Sequence, residues 1–216
     1  MSSALAALMT TGRLLRLRGI AAATITAGVL CQFAQRTDPT APLLYFTVDS
    51  AILAAAVQTW RLVRGPASSM WGDRIRGAAV VGVVLSALVH ATVIAPNSPS
   101  GTWFGAHDDA WVRTATILLH AVAPVLVVTE FLTSPCVLTR GRREAALLTL
   151  WPAAWLAVVG TLAWSGAATM PYLFLRPSQF GGFGVLAVIA VLYGTALALG
   201  TVLVAAGHRV QRADRA

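Results

Sequence analysis

Apolar residues gather along this chain into six helix-length runs, at residues 19–35, 43–63, 77–95, 110–131, 144–165 and 181–206. Polar or proline-bearing stretches separate them, with Asp38-Pro39, Gly65-Pro66, Pro96, Pro99, Pro135 and Pro177 as breakers. Each run is close to the roughly 20 residues that cross a bilayer core as a helix. The pattern predicts an all-α polytopic membrane protein with six transmembrane helices. Residues 1–18 would be a cytoplasmic N-terminus, 19–206 the transmembrane domain and 207–216 a basic cytoplasmic tail. Arg13, Arg16 and Arg18 precede the first run as they would in a signal peptide. No small-x-small cleavage site follows, so this run is expected to be a retained helix.

Composition agrees with the pattern. Of 216 residues, 57% are hydrophobic and only 11% charged, against about 25% charged in an ordinary soluble domain. Mean hydropathy is +0.73. The net charge of +8 comes entirely from arginine. These arginines fall between apolar runs and form no single basic face, which argues against a nucleic-acid partner. Cys31 and Cys136 fall near opposite membrane faces, so no disulfide is expected between them, and no metal-type cysteine spacing is present.

The arginines also give an orientation. Thirteen belong to one side: Arg13, Arg16, Arg18, Arg61, Arg64, Arg74, Arg76, Arg140, Arg142, Arg143, Arg209, Arg212 and Arg215. Arg36, Arg113 and Arg176 belong to the other. The positive-inside rule then places both termini in the cytoplasm, as an even number of spans requires.

Within the runs a few polar side chains stand out, because ionisable groups in hydrocarbon are costly and need internal partners. At the helical rise, Thr47 lies roughly 6 Å from the outer face, Asp49 roughly 9 Å and His120 roughly 14 Å. His90 lies at a depth similar to Asp49. Thr47 and Ser50 share a helix face, and Tyr45 lies one turn before Asp49. His120 has Pro124 one turn after it; proline removes a backbone donor and perturbs the helix there. Glu130, near the cytoplasmic end of its helix, is expected to pair with an inner arginine. Tyr45, Thr47, Asp49, His90 and His120 are expected to line one cavity.

Three chemistries suit these residue types. A hydroxyl nucleophile, Thr47 or Ser50, could be activated by His120 as base. Asp49 would orient the imidazole or stabilise its charged form, and His90 would donate to the oxyanion. A metal could take His90, His120 and Asp49, although no His-x3-His spacing supports it. Two histidines from neighbouring helices could ligate haem. No nucleotide-binding or nucleophile-elbow motif occurs, and neither cofactor nor metal is expected. The competing class is a non-catalytic membrane protein, a small transporter or complex subunit, whose intramembrane polar residues fix helix packing.

Tyr45-Phe46-Thr47, Leu119-His120 followed by Pro124, Trp151-Pro152, and Met170 through Leu175 (Met-Pro-Tyr-Leu-Phe-Leu) carry a resemblance. Together they resemble a six-helix actinobacterial integral membrane family with proline-centred motifs. That family is distantly similar to the androgen-induced and androgen-dependent membrane hydrolases, which split fatty-acid esters of hydroxy fatty acids. The resemblance implies a multi-pass protein of the bacterial inner membrane. It further implies Thr47 as nucleophile, His120 as its histidine, and a lipid ester from the surrounding membrane lipids as substrate. Two positions depart from the pattern. Ser50-Ala51 stands where Ser-Asn is favoured after the threonine, and Arg176 stands where an aspartate is favoured in the last outer loop.

Overall fold

The computed structural model describes residues 3–65, 69–98, 102–104 and 109–213, with side chains described over 11–208 of these. The described residues form helices and no strands. Six helices follow in order: α1 (Ser3–Ala34), α2 (Phe46–Arg64), α3 (Met70–Ile94), α4 (Ala110–Thr133), α5 (Arg142–Trp164) and α6 (Pro177–Ala213). Local chemistry sets their ends. Ser69 caps α3 by accepting from Gly72 N at 3.0 Å, and Asp109 caps α4 by accepting from Val112 N at 2.7 Å. Gly65 and Gly166 follow α2 and α5 with positive φ, which side chains disfavour. α5 breaks at Thr149 into Arg142–Leu148 and Leu150–Trp164.

Five of the six helices are long and apolar enough to cross a membrane. The exception is α2, whose 19 residues include Asp49, Gln58 and Arg61. Three limits expected from the sequence move. α1 begins at Ser3, not residue 19, and the part suited to span runs Thr11–Ala34. Residues 3–18, expected to precede the first helix, are thus helical and continuous with it. α3 begins at Met70, inside what reads as a loop. α6 runs through Ala213, so most of the basic tail is helical. In each case charged residues interrupt the apolar run without interrupting the helix, because arginine is a good helix former.

Glu130 is fully buried and accepts from Arg18 Nε at 2.9 Å, from Ser134 Oγ at 2.6 Å and from Gln58 Nε2 at 3.4 Å. Arg76 and Arg61 lie 3.6 and 3.8 Å from its two oxygens. Buried Asp73 bridges the same two arginines, at 3.0 Å from Arg61 Nη1 and 3.2 Å from Arg76 Nη2, and its other oxygen accepts from Val137 N at 2.8 Å. Arg76 also donates to Pro135 O at 3.1 Å and lies over the Phe131 ring. The pairing expected of Glu130 is thus present, with three arginines around it. Arg18, Arg61 and Arg76, assigned from the sequence to the cytoplasmic flanks, are instead buried between helices. Each sits at the edge of an apolar run, where sequence position alone does not separate a flank from a core.

Three guanidinium groups face two carboxylates, leaving one excess positive charge. The C-terminal ends of α2 and α4 adjoin it, and carbonyls there, Arg61 O and Pro135 O, accept from Arg18 and Arg76. Helix C-termini carry partial negative charge, which offsets the excess.

Close backbone approaches complete the packing. A Cβ at Gly82 would lie 2.7 Å from Ser50 Oγ and 3.0 Å from Trp151 Cδ1, so α2, α3 and α5 meet at this glycine. At Gly200 it would lie 3.0 Å from Ala145 O, which brings the first part of α5 against α6. A Cβ at Gly160 would meet nothing within 4 Å. Gly82→Val is therefore expected to lower the unfolding free energy in detergent by about 1–3 kcal/mol. Gly160→Ala should be neutral or slightly stabilising; equal effects of the two substitutions would contradict the packing described.

Candidate functional site

The polar residues picked out in the sequence fall into three separate places. The first is a histidine pair between α3 and α4. The rings of His90 and His120 stack with centroids 4.1 Å apart and planes 11° apart. Each lies in a π-helical turn: Ala95 N bonds His90 O at 2.8 Å, and Ala123 N bonds Leu118 O. Pro124 accounts for the second turn, since it cannot donate to the His120 carbonyl and the helix widens ahead of it. Gly28 lets α1 cross that turn closely; a Cβ there would be 2.7 Å from Leu119 Cδ2. His90 Nε2 lies 2.9 Å from Trp103 O. A carbonyl only accepts, so Nε2 carries the proton. His120 Nδ1 is buried with no hydrogen-bond partner.

The second place is a cavity of about 360 Å³ bounded by α2, α3, α5, α6 and the turn at Leu173–Leu175. Phe46, Leu85, Trp155, Leu156, Phe174 and Leu192 form much of its wall. Its hydroxyls are Thr47, Ser86, Tyr172 and Tyr193. Ser86 donates to Val83 O, the backbone bond usual for a membrane serine. Thr47 differs: it faces the cavity beside Tyr172, near the first N–H groups of α2. Those N–H groups begin α2 and have no partner within the helix. Tyr172 also packs edge-on against Tyr45 and Trp155, at 5.9 and 5.7 Å between centroids.

The third place is the approach to α2. Tyr45 donates to Asp38 Oδ2 at 2.6 Å. Asp49 is half-buried, accepts no side-chain hydrogen bond from the described residues, and acts on Tyr172 through its charge. Ser50 accepts from Trp151 Nε1 at 3.0 Å and is engaged in helix packing.

The single cavity expected to hold Tyr45, Thr47, Asp49, His90 and His120 is therefore corrected. Of these five, Thr47 alone lines it. His120 is occupied by His90, and no hydrogen bond joins it to Thr47. The reason lies in azimuth. The histidines turn toward each other between α3 and α4, while Thr47 turns toward the cavity that α5 and α6 also line. Tyr172 is a neighbour of Thr47 in the cavity wall that spacing could not identify, because it comes from a non-helical segment 125 positions later. Among the described residues, no three of His, Cys, Asp and Glu come together as metal ligands would.

Burial raises the Tyr45 hydroxyl well above the ordinary tyrosine value, and the Asp38 carboxylate adds to this. Burial likewise pushes Tyr172 up to about 12. In both cases the folded state favours the neutral phenol. The stabilisation is complete below pH about 10 and is lost as pH rises through the folded values. Absorbance at 295 nm is expected to show these two phenols un-ionised at pH 10.5 in folded protein and ionised there after denaturation. Tyr45→Phe and Tyr172→Phe variants assign the two transitions, and ordinary titration of both in folded protein would contradict the burial described.

No family model matches the chain, and neither a curated protein nor a solved structure does.

Proposed function

We propose that this chain is a multi-pass protein of the bacterial cell membrane that holds the acyl chain of a membrane lipid in the cavity beside Thr47. The cavity carries this reading. Its volume lies in the range of small-molecule sites, and its walls are apolar and aromatic with a few hydroxyls at defined points. Six spans with both termini in the cytoplasm fit the arrangement. Gln58 and Arg61 of α2 turn into the ion cluster and Ser50 toward Trp151, so α2 can cross hydrocarbon with these polar groups turned to protein and away from lipid. With Arg18, Arg61 and Arg76 buried, ten arginines remain on the proposed cytoplasmic side against three opposite.

A second reading adds chemistry to the same cavity: hydrolysis of a lipid ester with Thr47 as nucleophile. What favours it is the placement of the Thr47 hydroxyl in the cavity wall against Tyr172 and the free N–H groups that begin α2. Those donors are of the kind that stabilise an oxyanion. Threonine also requires a base. In this reading His120, whose Nδ1 is unpartnered, accepts the proton after substrate binding brings the two residues together. The resemblance to the membrane hydrolases of fatty-acid esters points the same way.

Native mass spectrometry of protein purified in mild detergent separates the two levels. Wild type should retain lipid. Ala153→Phe, which fills the cavity, should lose it while keeping its thermal transition. Equal retention by both would overturn the cavity as the lipid site. Thr47→Ala should keep lipid but lose both labelling by a fluorophosphonate and turnover of long-chain esters. Unchanged labelling and turnover would remove hydrolysis and leave lipid binding standing.

A further inference from the structure

The mouth and floor of the cavity can be read from its lining. Ala157 on α5 and Tyr193 on α6 both line the cavity and are exposed on the outer surface of the helices, Tyr193 by 44%. These helices are held together at the arginine-rich end, where Gly200 admits Ala145. Beyond the break at Thr149 the cavity lies between them, faced by Pro152, Ala153 and Leu156 on α5 and Ile189 and Leu192 on α6. The mouth thus faces sideways, on a surface that in a bilayer adjoins acyl chains.

The floor is tied down. Along α5 and α6, Pro152 and Tyr193 are the lining residues nearest the arginine-rich end. The Tyr193 hydroxyl lies 3.0 Å from Thr149 Oγ1, and fully buried Thr149 donates in turn to Ala146 O at 2.7 Å. This bond anchors the phenol to the break in α5, one turn below the cavity. Along α3 the lining runs from Leu85 to Ile94, a depth of about 14 Å at the helical rise. At the far end stand Thr47, Tyr172 and Phe174. A chain entering through the side would lie along this length, with its ester near Thr47 and its methyl end against Tyr193.

We propose that the ligand is a single acyl chain of a bilayer lipid, that it enters laterally between α5 and α6, and that Tyr193, pinned by Thr149, sets the chain length accepted. This rests on the cavity being the lipid site, and it holds with or without hydrolysis at Thr47.

Photocrosslinking in vesicles of defined composition tests it. The probe is a phosphatidylcholine with a diazirine near the methyl end of one acyl chain, and labelled positions are read by peptide mass spectrometry. In wild type, labelling should concentrate on Pro152, Leu192 and Tyr193, above Val158 and Leu162 on the lipid-facing side of α5. Competing fatty acids of graded length should suppress it with a sharp length optimum. Tyr193→Ala should move that optimum to longer chains, with about tenfold preference over the wild-type optimum. Tyr193→Phe, which keeps the ring but loses the bond to Thr149, should broaden the optimum without moving it to the longer chains that Tyr193→Ala accepts, and an optimum as sharp as that of wild type would overturn the pinning. Cavity labelling with an unchanged optimum in Tyr193→Ala overturns the ruler and leaves the lipid site standing. Labelling spread evenly over the exposed positions, with none concentrated in the cavity, overturns the site itself.

Discussion

Glu130 is a carboxylate with no exposure to solvent, in the last turns of an apolar helix, and most of the arginine-rich end is arranged to make that tenable. A buried charge is stable only when paired and hydrogen-bonded. Glu130 meets this through Arg18 on α1, Gln58 and Arg61 on α2, Arg76 on α3 and Ser134 just after α4. Asp73 carries the network to the segment after α4 by accepting from Val137 N. Four helices are thereby fixed in register by bonds that have no alternative partners in hydrocarbon. A cluster of this kind contributes specificity more securely than net stability, since the cost of removing five charged groups from water offsets much of their attraction.

Fixing one end leaves the other free to open. Toward the opposite end, α5 turns at Thr149 and a cavity lies between it and α6, where apolar packing alone would close the space. The bond from Tyr193 to Thr149 marks the boundary between the two regimes. In lipid there is no hydrophobic drive to bring apolar helices together, so a lipid-facing gap costs little when a lipid chain fills it. The polar residues of the middle layer divide their work accordingly. Ser50 secures packing against Trp151, while Thr47 and Ser86 face the cavity.

The all-helical class was legible because apolar runs of membrane length admit few alternatives, and the pairing of Glu130 followed from the cost of an unpaired carboxylate. The stacking of the two histidines was not legible, because ideal helical rise puts them at different depths, while Pro124 was legible as a perturbation, which takes the form of a π-helical turn. The roles of Arg18, Arg61 and Arg76 were not. An arginine at the end of an apolar run reads identically whether it points to headgroups or folds back into a cluster, and only the neighbouring helices decide. The split of Thr47 from His120 was hidden for a related reason. The π-helical turns at His90–Ile94 and Leu118–Val122 each hold one residue more than an α-helical turn and change the azimuth of the residues after them, which an ideal helix does not show. Tyr172 was visible in a motif but not as a neighbour of Thr47, because contacts of a non-helical segment have no period to read.

One buried ion cluster holds α1 to α4 together, and a double-mutant cycle on Arg18 and Glu130 measures that coupling. Unfolding free energies in detergent would be compared for wild type, Arg18→Ala, Glu130→Ala and the double variant. Glu130→Ala leaves three arginines around a vacated site and should cost about 3–5 kcal/mol. The double variant should be less destabilised than the two single losses added, with a coupling of about 1–3 kcal/mol. Additivity within about 0.5 kcal/mol would show that the two residues do not depend on each other, and would contradict the cluster as the constraint on which the fold rests.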